Sequence, residues 1–147
     1  MAGILQPLTA ADAQNNYTLN IKPQPHMDYD PLSEVIDEPL FIDSSILEEL
    51  KAFRGAEKLD NLPGINTTVE KTRLSNVLNG LLDRLLCDIE AHPSKLWVLT
   101  EFQKALVLLE GEDTEGREHC GMEMENIMDI LGIDSSDGLL TAYLGGI

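Results

Sequence analysis

One apolar stripe sets the fold class. Leu74, Val77, Leu78, Leu81, Leu82, Leu85 and Ile89 fall on the three- and four-residue spacing that lines one face of an α-helix, and Leu86 widens it. Thr67-x-x-Glu70 opens this segment as a capping box, in which the hydroxyl and the carboxylate satisfy backbone N–H groups reciprocally. Pro93 stops it after His92. At about 1.5 Å per residue, the helix spans roughly 35 Å. So long an apolar face must be buried against other elements.

The flanking sequence supplies helical partners. Ser45-x-x-Glu48 reads as a second capping box, followed by Ile46, Leu47, Leu50 and Phe53 at helical spacing. Gly55 ends or loosens that helix, and Pro63-Gly64 closes the connection. Ser94 caps a further helix from Lys95 to about Glu110 through Trp97, Leu99, Phe102, Leu106 and Leu109. Its short Pro-Ser connection predicts an antiparallel pair with the long helix. Asp113 or Thr114 caps the next helix, whose apolar face is Cys120, Met124, Ile127, Met128 and Leu131. Gly116 and Gly121 inside it depart from a strong helix former's pattern, and Gly132 suits a left-handed terminus. Asp134-Ser-Ser-Asp137 offers N-caps for a last short helix through Leu139, Leu140, Tyr143 and Leu144, which Gly145-Gly146 ends.

The expected architecture is all-α: a compact bundle of four to five helices over residues 44–147, with an irregular, proline-rich arm over residues 1–43. Five of the seven prolines lie in the arm, at 7, 23, 25, 31 and 39, where they remove donors and block helix interiors. Ala10–Gln14 fits one helical turn, and Tyr17–Ile21 a short extended piece. Leu32, Val35, Ile36, Leu40, Phe41 and Ile42 make the arm's end too apolar for pure disorder, so the arm is expected to pack on the body or on a neighbouring subunit.

Charge narrows the function classes. The net charge is −16, from 26 acids and 10 bases. Residues 1–43 carry −6, residues 44–92 carry −2, and residues 93–147 carry −8. Direct nucleic-acid binding is not expected, because phosphate contacts need Lys and Arg to displace counterions. Steering toward a basic partner is compatible with this surface. Cys87 and Cys120 both fall in helical patterns and read as buried thiols, with no disulfide framework. No window reaches the length of a membrane span, and the N-terminus lacks a signal-peptide pattern. A cytoplasmic location is the expectation.

Asp113-Thr-Glu-Gly-Arg-Glu118, Ile127-Met-Asp-Ile-Leu-Gly-Ile133 and Asp134-Ser-Ser-Asp-Gly-Leu-Leu140 together resemble an uncharacterised family of small all-helical bacterial proteins. The resemblance covers about a quarter of the chain and none of the arm. It implies a helical domain and carries no activity or site.

No residue set fills the roles that catalysis demands. His119 and Glu123 share a helix face beside Cys120, but a metal site needs three or four fitting ligands and no second cluster is present. An acidic surrounding disfavours a reactive thiolate. Asp28-Tyr-Asp30 and Asp134–Gly138 lack the full calcium-loop pattern. Gly116 to Gly121 lacks the Lys-Ser/Thr of a phosphate loop. Carboxylate neighbours such as Glu48/Glu49 and Glu123/Glu125 arise readily among 26 acids. The polar residues singled out are Asp113, Arg117, His119, Glu123 and Asp137, with Arg117 expected to pair with nearby acids, among them Asp113 four residues before it.

The functional expectation is a non-catalytic, acidic protein-interaction module with no cofactor and no catalytic or metal-ligating residue, for instance an immunity-like neutraliser of a basic protein. The alternatives are a self-assembling structural protein, with the arm packing between copies as a homo-oligomer, and a helical domain that binds a small ligand.

Overall fold

The computed structural model describes residues 29–60 and 67–145. The expectations for Ala10–Gln14, Tyr17–Ile21 and Pro63-Gly64 lie outside them. Five α-helices follow a 3-10 turn at Pro31–Glu34: α1 (Ser44–Gly55), α2 (Thr68–Asp88), α3 (Lys95–Leu108), α4 (Thr114–Leu131) and α5 (Leu139–Leu144). Among the described residues there is no strand, only one isolated bridge between Pro39 and Ser94.

The long helix α2 organises the rest. The hydroxyl half of its capping box forms, with Thr67 Oγ1 accepting from Glu70 N at 2.9 Å. Leu74, Leu78, Leu81, Leu82, Leu85 and the following Ile89 are fully buried. Burying a Leu side chain stabilises by about 1.5–3 kcal/mol, so this stripe is the main apolar contribution of α2. Twenty-one residues make it about 31 Å long. Helices α1, α3 and α4 pack on it, and α5 packs on α3 and α4. The hairpin of α2 and α3 is antiparallel: near the end of α2, Arg84 Nε reaches Glu101 Oε1 at 2.8 Å, two turns into α3.

The helix ends follow side-chain chemistry. Ser94 Oγ accepts from Trp97 N, and Asp113 Oδ1 accepts from Gly116 N at 2.8 Å. Gly132 takes φ of +79°, and the bond from Ile133 N to Met128 O closes a Schellman motif. Two caps differ from expectation. Asp43, not Ser45, opens α1, its carboxylate accepting from Ile46 N at 2.9 Å. Asp43 has the extended backbone a cap needs, whereas Ser45 already lies inside the helix. For α5 the cap position falls on Gly138, which bears no side chain, although Ser136 Oγ accepts from Leu140 N.

Glycines 116 and 121 are buried inside α4. A Cβ at Gly116 would stand 3.3 Å from Leu74 Cδ1 and 3.2 Å from the capping Asp113 Oδ1. The glycine that weakens α4 as a helix former therefore lets it approach α2 closely.

Residues 31–145 make one compact unit, which begins at Pro31. The end of the arm, residues 31–43, therefore lies within it as a strap that caps α3. Lys95 N donates to Glu38 O (2.9 Å), Leu96 N to Asp37 Oδ1 (2.9 Å) and Trp97 N to Ser94 Oγ. These are the first orphan N–H groups of the helix, and a carboxylate is favoured at that positive end. Leu40 N donates to Pro93 O at 2.8 Å, and Leu40 and Pro31 are buried.

Candidate functional site

The five singled-out residues have separate roles. Asp113 is the α4 cap. Arg117 Nη1 donates to the Tyr143 carbonyl at 3.5 Å, and its Nε is buried without a hydrogen-bond partner. The expected pairing of Arg117 with Asp113 does not form, because the Asp113 carboxylate is turned to the Gly116 N–H. His119 is half-buried on α4, and Glu123, one turn on, accepts from Asn126 Nδ2 at 3.1 Å. Asp137 lies in the loop before α5, where it accepts from Lys95 Nζ (2.8 Å) and from Ile36 N (2.9 Å). The Lys95 ammonium first, and the Ile36 N–H second, hold the Asp137 carboxyl below its ordinary pKa. Its backbone sits at φ +53°, a conformation that Asp tolerates better than most residues. Asp137 thus ties the strap to the start of α3, a role that pattern reading missed because Ile36 lies 101 residues away.

The thiols also part company. Cys120 is buried and its pKa is pushed up to about 12, by burial first and by Glu112 and Glu123 second. Cys87 is exposed, contrary to expectation, because it points away from the face that α2 buries. Among the described residues, no three His, Cys, Asp or Glu side chains converge as a metal site.

The arrangement of charge is more distinctive. Six of the nine described bases are held in ion pairs: Arg54 with Asp83, Lys71 with Glu57 and Asp60, Arg73 with Glu112, Arg84 and Lys104 with Glu101, and Lys95 with Asp137. Burial pushes the Glu101 carboxyl up, but the bonds from Lys104 and Arg84 outweigh it and hold its pKa below the ordinary value. Lys58 is buried, donates to the carbonyls of Arg54 and Ala56, and lies 5.1 Å from the Phe53 ring centroid. With Arg117 bonded to Tyr143, Lys51 alone among these bases is exposed without such a contact.

The acids are distributed differently. Along the outer face of α4, Glu115, Glu118, Met122, Glu125 and Asp129 are exposed at spacings of three and four, with no base among them. The stripe runs into a groove of about 340 Å³ between the end of α4, the following loop and α5. Glu125, Asp129 and Asp134 line its walls with Ser135 and Thr141, while Met128, Ile133 and Leu140 supply apolar surface. Such a groove fits a Lys or Arg side chain, with the stem on apolar atoms and the head among carboxylates.

A family model described as a domain of unknown function, DUF4844, matches residues 42–147. No curated protein and no solved structure matches the chain.

Proposed function

The chain belongs to the DUF4844 family, and on that premise we propose that it is a non-catalytic acidic module that binds a basic protein. A neutraliser of a basic toxin or nuclease is one such role. The observation that carries this reading is the separation of charge: all the described bases but Lys51 are held in internal bonds, while the outer face of α4 presents carboxylates around Met122 and no base. Like charges at this spacing cost roughly 0.2–0.5 kcal/mol per pair. Asp129 sits in the last turn of α4, at the negative end of the helix dipole, with no base there to offset it. The carboxylates at the C-terminal half of the stripe thus stand against the helix's own stability, and such a surface suits a partner of opposite charge, which it attracts at long range.

The test is capture from native lysate by the tagged full chain, compared with a variant carrying Glu115→Lys, Glu118→Lys, Glu125→Lys and Asp129→Lys. The expected result is a basic protein bound at about 50 mM salt and released at about 500 mM, where charges beyond a few ångströms are screened. The variant should not bind it. Identical captures by both proteins would overturn the reading.

A further inference from the structure

We infer that the outer face of α3 is an interface to a second copy of this chain, laid antiparallel across a two-fold axis. Nine of the fourteen residues of α3 are apolar, and they are not all inside. Leu96 is 37% exposed, Val107 49% and Leu108 63%. Between Leu96 and Val107 on one face lie Thr100 and Gln103, both half-buried, with Lys104 at the edge and Leu108 next round the helix.

Three observations point to a copy of the same chain. The first is symmetry. Leu96, Thr100, Gln103 and Val107 follow a four-three-four spacing, the seam of a two-helix contact. Positions 96 and 107 share a midpoint with positions 100 and 103. The polarity pattern is therefore a palindrome: apolar, polar, polar, apolar. A two-fold axis at that midpoint sets Leu96 of each copy against Val107 of the other, and Thr100 against Gln103. Such self-complementarity is what an isologous interface requires.

The second is that the polar groups of the stripe are already bonded within the protomer. Thr100 Oγ1 donates to Leu96 O at 2.7 Å, Gln103 Nε2 donates to Tyr143 Oη at 3.0 Å, and Lys104 pairs with Glu101 at 3.1 Å. Covering the face strands none of these bonds, so the main cost of burying polar atoms is absent.

The third is charge. In a chain of net charge −16, contact between copies through the α4 stripe sets carboxylate against carboxylate. The α3 stripe itself carries no acid, and the ions at its edges are both bonded: Lys104 to Glu101, and Asp37 to the Leu96 N–H. At its Leu96 end, the bond from Leu96 N to Asp37 brings the strap alongside, where Ile36 is 69% exposed.

This inference does not rest on the basic-partner reading, and the two respond to salt with opposite sign. Two copies of a −16 chain repel at long range, and salt screens that repulsion while leaving apolar burial intact. Sedimentation velocity of the full chain, from about 1 to 300 µM at about 50 and 500 mM salt, is the test. The expected result is a monomer–dimer equilibrium that tightens with salt. Val107→Glu and Leu96→Glu, at opposite ends of the stripe and both on exposed positions, should each weaken it at least tenfold. Val69→Glu, equally apolar and 73% exposed but on α2, should leave it unchanged. Circular dichroism confirms that each variant is folded. A monomer at every concentration and both salts overturns the inference and leaves the face to a different occupant. A dimer that none of the α3 variants weakens, or that salt dissociates, overturns it as well.

Discussion

Substituting Cys120 with Ala should flatten the alkaline side of the stability profile. The thiol is fully buried between α4 and its neighbours, and its pKa rises from 9.0 to about 12, through burial first and through Glu112 and Glu123 second. The folded state therefore holds this proton where the unfolded chain releases it. A group whose pKa is raised on folding contributes stability that is intact below the unfolded value and fades as pH climbs toward the folded one. The window here is pH 9 to about 12. One pKa unit corresponds to about 1.4 kcal/mol, so by pH 10 the wild type should have lost about 1.4 kcal/mol through Cys120 alone. Tyrosines and lysines titrate in the same range, so the useful quantity is the difference between wild type and Cys120→Ala. Urea unfolding at pH 8 and pH 10 measures it. The wild type should lose about 1.4 kcal/mol more than the variant between these values. Loss of the sulfur from the core shifts the variant's curve down at both pH values and cancels in the comparison. Parallel losses would show that the thiol is not shielded and would refute the placement of Cys120. Thiol titration gives an independent readout: Cys87, which is exposed, should react at once with a disulfide reagent at pH 8, and Cys120 only when the protein unfolds.

Two further outcomes probe the helix ends. Asp43→Ala should lower stability by about 1 kcal/mol in urea unfolding, the usual loss for a capping carboxylate, while Ser45→Ala should change it by a few tenths at most. Equal losses would return the start of α1 to Ser45. Gly132→Ala should cost about 1 kcal/mol by the same assay, because φ of +79° strains any residue with a Cβ. An unchanged midpoint would show that α4 ends differently.

Much of the fold is legible because its determinants are local. The α2 stripe, the hydroxyls of Thr67 and Ser94, the Asp113 carboxylate and the freedom of Gly132 each act within a turn of their own position. Ser45 misleads for the same local reason: Asp43 lies two residues earlier, is as good an acceptor, and satisfies the same helix. Long-range bonds are where reading along the chain stops. The cap on Lys95 is the backbone carbonyl of Glu38, which has no side-chain signature, and the partner of Asp137 is an amide 101 residues away. Asp137 is also the singled-out residue whose role is clearest in the structure, as the anchor of the strap. Local spacing pairs Arg117 with acids on its own helix, yet α5 packs on α4 and presents the Tyr143 carbonyl instead. Of the candidate surfaces, the acidic excess after residue 93 was visible in the sequence. Its concentration on one face of α4, and the quiet face of α3, emerge only when burial removes the other positions.

The two faces constrain each other. Glu115 gains from the positive start of α4, but Glu125 and Asp129 add repulsion toward its negative end, where nothing offsets them. Elsewhere the chain places acids beside bases: Asp83 beside Arg54, Glu112 beside Arg73, and Glu101 between Arg84 and Lys104. The means of neutralising α4 were therefore available to this fold and were not used there. On α3 the reverse holds, for apolar side chains stand exposed where a Lys or Glu would have been more soluble. Solubility alone does not account for both faces: acids added for solubility belong first on the exposed apolar face, and the Leu96–Val107 stripe has none among its own side chains. On the proposed reading the two surfaces serve two contacts, one strengthened by dilution of salt and the other by its addition, so that a single salt titration should move them in opposite directions.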